Sequence, residues 1–526
     1  MDNRSQPHSA QSTTSKADLR AGISGRVVFG TVLLSTASIT KLALQCVLIP
    51  VLARVLGPGI FGEMSIAMSF VLLANMLSDG GMGAALTREH HADRELESTV
   101  YWLSTSIGIA LALTICFLAW PVACLYGERS LFPVLLALAP ILVVSSSLSV
   151  ANARIIRRQR FEIFAAGDVV CAILSAAAGL ALALYGLGIW SLVVQQLIFW
   201  ATKGVWLTCV AGFHPAFALH MRLARPLLRF SANNLAANVA EFAGRSAPVL
   251  IVGGILGVSA AARFAMAYQL TRVADMVASD PVNLATFSAI SATRDRHEAA
   301  NFTMAALRIL TLLLVPLFCG FALTADLLTH VVLGQRWIGT GPALAALAPG
   351  ALLLCLYRFV AAVLLGTGRS SRTFKLTLMT GVTTAAGTVI GAHFGVTWAV
   401  AGFSLGACVL APLYLWSLVR PMHLSIACLV SSARTSLIAT AGMACAVLLI
   451  RGETSQLDAI AQLLACTSAG VLVFAIAALA FGRNQIRRDI ETLRRKPRTE
   501  PAPEPSAWPF MPTGLDEDPS PITTAA

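Results

Sequence analysis

Charge is scarce in this chain. Only 12% of its 526 residues are Asp, Glu, Lys or Arg, 56% are hydrophobic, and mean hydropathy is +0.74. A soluble domain of this length needs far more charge on its surface, so that class is excluded. Cysteine pattern is lacking too. Of 11 cysteines, Cys46, Cys116, Cys171, Cys319, Cys408 and Cys445 stand singly in apolar stretches, with no CxxC pair and no metal spacing. They read as small hydrophobes between helices. The His90-His91 pair lies in a loop among Arg88, Glu89, Asp93 and Arg94, without the spacing of a metal site. No P-loop lysine motif is present, which argues against ATP hydrolysis by this chain. No catalytic constellation emerges either, so a transporter is expected rather than an enzyme, with no cofactor. The polar, Ser/Thr-rich start is followed by an apolar run too long for a signal peptide, and none is expected.

What the chain has in abundance is apolar runs of spanning length. About fourteen are recognisable, at 27–53, 63–86, 100–124, 131–152, 163–185, 188–211, 230–256, 261–289, 302–324, 341–365, 374–394, 396–418, 428–450 and 458–481. Each is long enough to cross a bilayer as a helix. The net charge is +12, from 38 Lys and Arg against 26 Asp and Glu. Those cations cluster between spans, around Arg20/Arg26, Arg88/Arg94, Arg154/Arg157/Arg158/Arg160, Arg222/Arg225/Arg229, Arg294/Arg296, Arg369/Arg372/Lys375, Arg420/Arg434 and Arg483/Arg487/Arg488. With the spans as given, every cluster falls on one side. The positive-inside rule then places both termini in the cytoplasm and makes topology, not nucleic acid, the reason for the basic balance.

A second set of charges lies inside the apolar segments: Lys41, Glu241, Arg245, Arg272, Asp275, Arg308 and Arg358. An ionisable group near the bilayer centre costs roughly 3 kcal/mol or more, so it faces protein or a wet cavity. Asn234, Asn238, Glu241 and Arg245 recur at helical spacing on one face, as a cavity-lining stripe or a structural ion pair. Gln269, Arg272 and Asp275 share a face in the next span, and Asp280-Pro281 kinks it into a hinge or a packing bend. Lys41 stands alone among apolar neighbours and is expected to meet a substrate anion rather than an acidic helix partner. Arg308 and Arg358 either line the same space or snorkel to an interface, and Lys203 snorkels. The ten cavity candidates are therefore Lys41, Asn234, Asn238, Glu241, Arg245, Gln269, Arg272, Asp275, Arg308 and Arg358.

A shift of two hundred residues superposes Leu56-Gly57 on Leu256-Gly257, and Ala67, Ala74, Met76 and Ala85 on Ala267, Ala274, Met276 and Ala285. Transporters often arise from such duplications, with the substrate between the halves. Beside this repeat stand longer motifs: Leu52-Ala-Arg-Val-Leu-Gly-Pro-Gly-Ile-Phe-Gly62, Leu77-Ser-Asp-Gly-Gly-Met-Gly-Ala-Ala85, Arg157-Arg-Gln-Arg-Phe161, Gly186-Leu-Gly-Ile-Trp-Ser-Leu-Val-Val-Gln-Gln196, Leu333-Gly-Gln-Arg-Trp337 and Leu365-Gly-Thr-Gly-Arg369. In these, over about residues 25 to 420, the chain resembles bacterial polysaccharide-export flippases of the multidrug/oligosaccharidyl-lipid/polysaccharide flippase superfamily. It departs from their pattern at Gly80-Gly81 and Glu63.

The resemblance implies an all-α integral membrane protein of about fourteen transmembrane helices, with two six-helix lobes around a central cavity plus two C-terminal helices. The expected division is a cytoplasmic segment 1–26, an N-lobe 27–211, a basic linker 212–229, a C-lobe 230–419, two further helices in 420–482, and a tail 483–526 that is basic, then Pro-rich and acidic. The implied substrate is an oligosaccharide on a polyprenyl diphosphate, moved from the cytoplasmic to the periplasmic leaflet of the inner membrane. The bilayer is one partner, a polysaccharide polymerase and a chain-length regulator are others, and nucleic acid is not expected. Independently of the resemblance, guanidinium groups bind phosphate oxygens in pairs and never lose their charge. Two alternatives stand beside this reading: a cation-coupled drug antiporter, which would want acids where the first span has Lys41, and a membrane polysaccharide polymerase, which would want a large outer loop.

Overall fold

The computed structural model describes residues 11–79, 82–88, 93–158, 160–213, 215–216, 242, 244, 246–293, 295–422, 426–454 and 456–494. Among these, every regular element is helical. Chain order runs α1 (Gln11–Asp79), α2 (Met82–Arg88), α3 (Arg94–Tyr126), α4 (Leu131–Leu138), α5 (Pro140–Ser147), α6 (Ser149–Arg157), α7 (Phe161–Leu184), α8 (Ile189–Ala211) and α9 (Ser246–Leu256). It continues through α10 (Val258–Ala274), a π-helical turn (Asp275–Ser279), α11 (Asp280–Ala292), α12 (Arg296–Leu333), a 3-10 turn (Gln335–Trp337) and α13 (Thr340–Gly366). Last come α14 (Ser370–Ala392), α15 (Val396–Val409), α16 (Ala411–Met422), α17 (Ile426–Glu453) and α18 (Ala459–Arg494).

The chain is an all-α, multi-pass membrane protein. Among the described residues, nine helical stretches are long and apolar enough to cross a bilayer. One of them, Thr36–Ser78, carries two of the fourteen apolar segments, on either side of Gly57. Segment 230–256 is only partly described, and segment 261–289 is interrupted by the π turn. Large apolar side chains such as Phe117, Leu449 and Val471 point outward, as a surface bathed in lipid requires.

Two features position the site. First, Gly57 breaks α1 into two limbs with φ 76° and ψ 174°, and Gly257 breaks α9 from α10 with φ 88° and ψ 170°. Side chains avoid this region, so glycine is the residue that permits both bends. The two positions are two hundred apart, so the repeat in the sequence is a repeat of backbone geometry. Gly62, just beyond the first bend, packs so closely on the Val258 carbonyl that a Cβ there would collide with it.

Second, α1 packs on α10, and the end of its first limb meets α12 and the 3-10 turn. Its first limb ends by exchanging caps with α12. The last turn of any helix presents carbonyls without partners. Arg336 donates to the Val55 carbonyl at 2.9 Å, and the buried Trp337 indole donates to that of Ala53 at 2.9 Å. In return Arg54 donates to the Val332 carbonyl at 3.2 Å and to that of Val331. The Gly57 end of the α1–α12 junction is thereby stitched shut.

Helices α14 and α15 pack by small residues. Gly387 and Gly391 of α14 face Gly402 and Gly406 of α15, and a Cβ on any of the four would strike the opposing backbone. Small residues at spacing four let helices approach closely, gaining dispersion contacts where lipid offers no hydrophobic drive. In the α13–α16 region, Tyr357 and Tyr414 stack with centroids 3.7 Å apart, and the Tyr357 hydroxyl donates to the Ala407 carbonyl at 2.7 Å.

Candidate functional site: a cationic pocket between α1 and α10

A pocket of about 260 Å³ opens between the first limb of α1 and α10. Ser38, Lys41, Leu42 and Gln45 line it from α1, Gln269, Arg272 and Val273 from α10, and Met276 from the π turn that continues it. Each set follows the spacing i, i+3, i+4, i+7, which is one face of a helix. Two like faces thus oppose each other, each with one cation and one glutamine. Lys41 lies sixteen residues, about 24 Å of helix, from the sealed Gly57 end.

Lys41 is not alone. Its ammonium donates to Asp168 of α7 at 2.7 Å, and the other oxygen of Asp168 takes Lys203 of α8 at 2.8 Å. The sequence reading preferred a substrate anion over an acidic partner for Lys41, and took Lys203 as snorkelling. In the structure the two lysines share one carboxylate: Lys203 is paired rather than snorkelling, and Lys41, expected to stand alone, has an acidic partner. Lys203 is further held over the rings of Phe164, Phe199 and Trp200, at 5.4, 5.7 and 5.9 Å from their centroids. Cation–π attraction of this kind grows as water is excluded.

Asp275 does not join Gln269 and Arg272 on the pocket wall. It turns to α13, where Arg358 pairs with it and, at 2.6 Å, with Asp280. The π turn that carries Asp275 sits just before Pro281, whose ring cannot donate the next helical bond. The widened turn absorbs that lost bond and brings two acids within reach of one guanidinium. Arg358 therefore ties the bend of α10–α11 to α13 rather than snorkelling.

Arg308 lies elsewhere again. Its guanidinium clasps Asp489 near the end of α18 with contacts of 3.0, 2.9 and 2.6 Å. The pair borders an open cleft of about 1080 Å³ along α12 and α18, lined by both acids and bases, among them Glu298, Arg488 and Asp489. Asn234, Asn238, Glu241 and Arg245 lie outside the described residues. So the structure brings together Lys41, Gln269 and Arg272, and sends Asp275, Arg308 and Arg358 into ion pairs elsewhere. Sequence reasoning missed Asp168 and Asp489. The usable signal for Asp168 was an acid five residues inside an apolar segment, and for Asp489 an acid within the basic run after the last one.

Chemically, the pocket offers a guanidinium fork, an ammonium and two amides. These are donors for phosphate or sugar oxygens. Among the described residues, no group of three or more His, Cys, Asp or Glu is placed to hold a metal ion.

Comparison with known proteins agrees with this architecture. The profile of a family described as polysaccharide biosynthesis protein matches residues 51–342. The succinoglycan biosynthesis transport protein ExoT of Rhizobium meliloti is 26% identical over 464 residues, 87% of this chain and 94% of its own. The lipopolysaccharide biosynthesis protein WzxC of Escherichia coli is 21% identical over 73% of this chain and 79% of its own. Among solved structures, the lipid II flippase MurJ in an inward closed conformation superposes with a TM-score of 0.72 at 15% identity, over 87% of this chain and all of that one. A multidrug resistance MATE family transporter of the MOP superfamily, inward-facing, gives 0.58 at 17% identity, over 74% of this chain and 98% of its own. At these identities the two structures speak for the fold.

Proposed function

This chain belongs to the polysaccharide biosynthesis protein family, and from that premise we propose that it is a flippase for an oligosaccharide carried on a polyprenyl diphosphate. The observation that carries the reading is the pocket where Lys41 and Arg272 face each other from α1 and α10. A diphosphate cannot cross hydrocarbon bare, and paired cations supply it with charge-assisted hydrogen bonds. At about 260 Å³ the pocket is smaller than the ~300–1,000 Å³ usual for whole ligands, so it suits the diphosphate while the glycan extends beyond it.

In this reading the chain crosses the inner membrane fourteen times. Two six-helix lobes, 27–211 and 230–419, rock about the Gly57 and Gly257 bends, and two further helices follow. The basic loops and both termini lie in the cytoplasm. The sealed Gly57 end is then the periplasmic one, and the pocket waits on the cytoplasmic half, where lipid-linked glycan is loaded. A polymerase and a chain-length regulator would take up the product. A drug antiporter of the same fold is the weaker reading, because a cationic substrate would be repelled by Lys41 and Arg272.

The test is replacement. In cells that depend on this chain for surface polysaccharide, Lys41→Ala and Arg272→Ala are each expected to abolish surface glycan while the protein still reaches the membrane. Normal glycan in both variants would overturn the assignment.

A further inference from the structure

Three charges meet behind the pocket, and their surroundings differ. Asp168 is bonded to Lys41 at 2.7 Å and to Lys203 at 2.8 Å, one oxygen to each. Lys203 is 16% exposed and enclosed by Phe164, Phe199 and Trp200. Its ammonium has aromatic faces on several sides and a carboxylate on another, so it has no better place to go. Lys41 is 31% exposed, about twice as much, and it lines the pocket. The carboxylate therefore sits between one fixed cation and one that can leave.

We infer that Asp168 is a positioning residue that occupies Lys41 as a stand-in for the substrate's anion, and hands it over when a diphosphate enters the pocket. This rests on the diphosphate reading of the pocket given above. With the pocket empty, a bare ammonium at this depth would be costly, and Asp168 neutralises it. When a diphosphate arrives, Lys41 turns from Asp168 to phosphate, and Asp168 keeps Lys203. No carboxylate is left unpaired at either stage. The exchange makes binding weaker than a free lysine would give, and for that reason makes release possible on the far side. A carrier that held the diphosphate without a competitor would load well and unload slowly.

The two neighbours of Lys41 then have opposite effects. Asp168→Asn removes the competitor, and Lys203→Met, which keeps length and apolar contact with the rings, leaves Asp168 wholly to Lys41. Binding is measured on the purified full-length protein in lipid nanodiscs with farnesyl diphosphate, a short polyprenyl diphosphate, as probe. Turnover is measured as surface polysaccharide per folded protein in cells. Asp168→Asn is expected to bind the probe about tenfold more tightly yet to produce less polysaccharide, a coupling within the usual 5–150-fold range. Lys203→Met is expected to bind it several-fold more weakly, and Asp168→Glu to restore wild-type binding. A merely structural role would weaken binding in both variants together. If Asp168→Asn binds equally or more weakly, or if it fails to fold and Lys203→Met binds as wild type does, the exchange is overturned while the pocket assignment stands. If wild-type protein does not bind the probe at all, the diphosphate reading itself falls, and this inference with it.

Discussion

At the scale of single residues, this molecule hides its charges by pairing them across helices. Arg308 and Asp489 are 181 positions apart and Lys41 and Asp168 are 127 apart. The clasp shields Asp489 more than its partner: its side chain is 5% exposed and that of Arg308 24%. Removing one member of such a pair strands the other, which costs about 3–5 kcal/mol when both are buried and less for this partly wet one. Arg308→Ala and Asp489→Ala should therefore each lower the thermal midpoint of the purified protein by several degrees. The double variant should recover part of the loss, because no charge is left stranded. Two additive losses would show that the clasp does not couple α12 to α18. These pairings also explain what the sequence reading could not reach. That Lys41 and Arg272 fall within apolar segments was legible from the residues around them. Which acid Lys41, Arg308 or Arg358 meets depends on how distant helices rotate, and no local pattern encodes that.

At the scale of elements, the helices themselves were legible because long apolar runs have one stable form in a bilayer. Boundaries were less so: the segment expected at 131–152 continues as one helical stretch to Arg157, and the junctions between α4, α5 and α6 at Ala139 and Leu148 keep helical torsions. The π turn at Asp275 was anticipated only as a bend at Pro281; its effect, turning Asp275 away from Arg272, follows from the widened turn. The glycines of α14 and α15 give a sharper test. Gly387→Ala places a methyl where the Gly402 carbonyl lies and should destabilise by roughly 1–3 kcal/mol, the usual range for overpacking. Gly254→Ala meets nothing within 4 Å and should be neutral or slightly stabilising. Both are read by thermal unfolding in detergent, and equal effects would mean that the close α14–α15 approach is not tight in solution.

For the molecule as a whole, the question is which end opens. The repeat about Gly57 and Gly257 was visible as two Leu-Gly pairs, and the structure gives both glycines nearly the same torsions. The seal between α1 and α12 was not visible, since its acceptors are carbonyls. Trp337→Phe keeps an aromatic ring, a smaller one, and deletes the donor to Ala53. In a cysteine-free background carrying Gln45→Cys, this change should raise labelling by a membrane-impermeant thiol reagent applied from the Gly57 side, several-fold over the same background with Trp337. Unchanged labelling would mean that the seal does not depend on this bond.

That seal is lopsided in what it asks of heredity. Its receiving half consists of the main-chain oxygens of residues 53, 55, 331 and 332, which every amino acid carries, so mutation at those positions cannot erase them. Its giving half is three side chains, Arg54, Arg336 and Trp337. Evolution could therefore retune how firmly this junction holds by altering three codons, while the helical frame around it drifts freely.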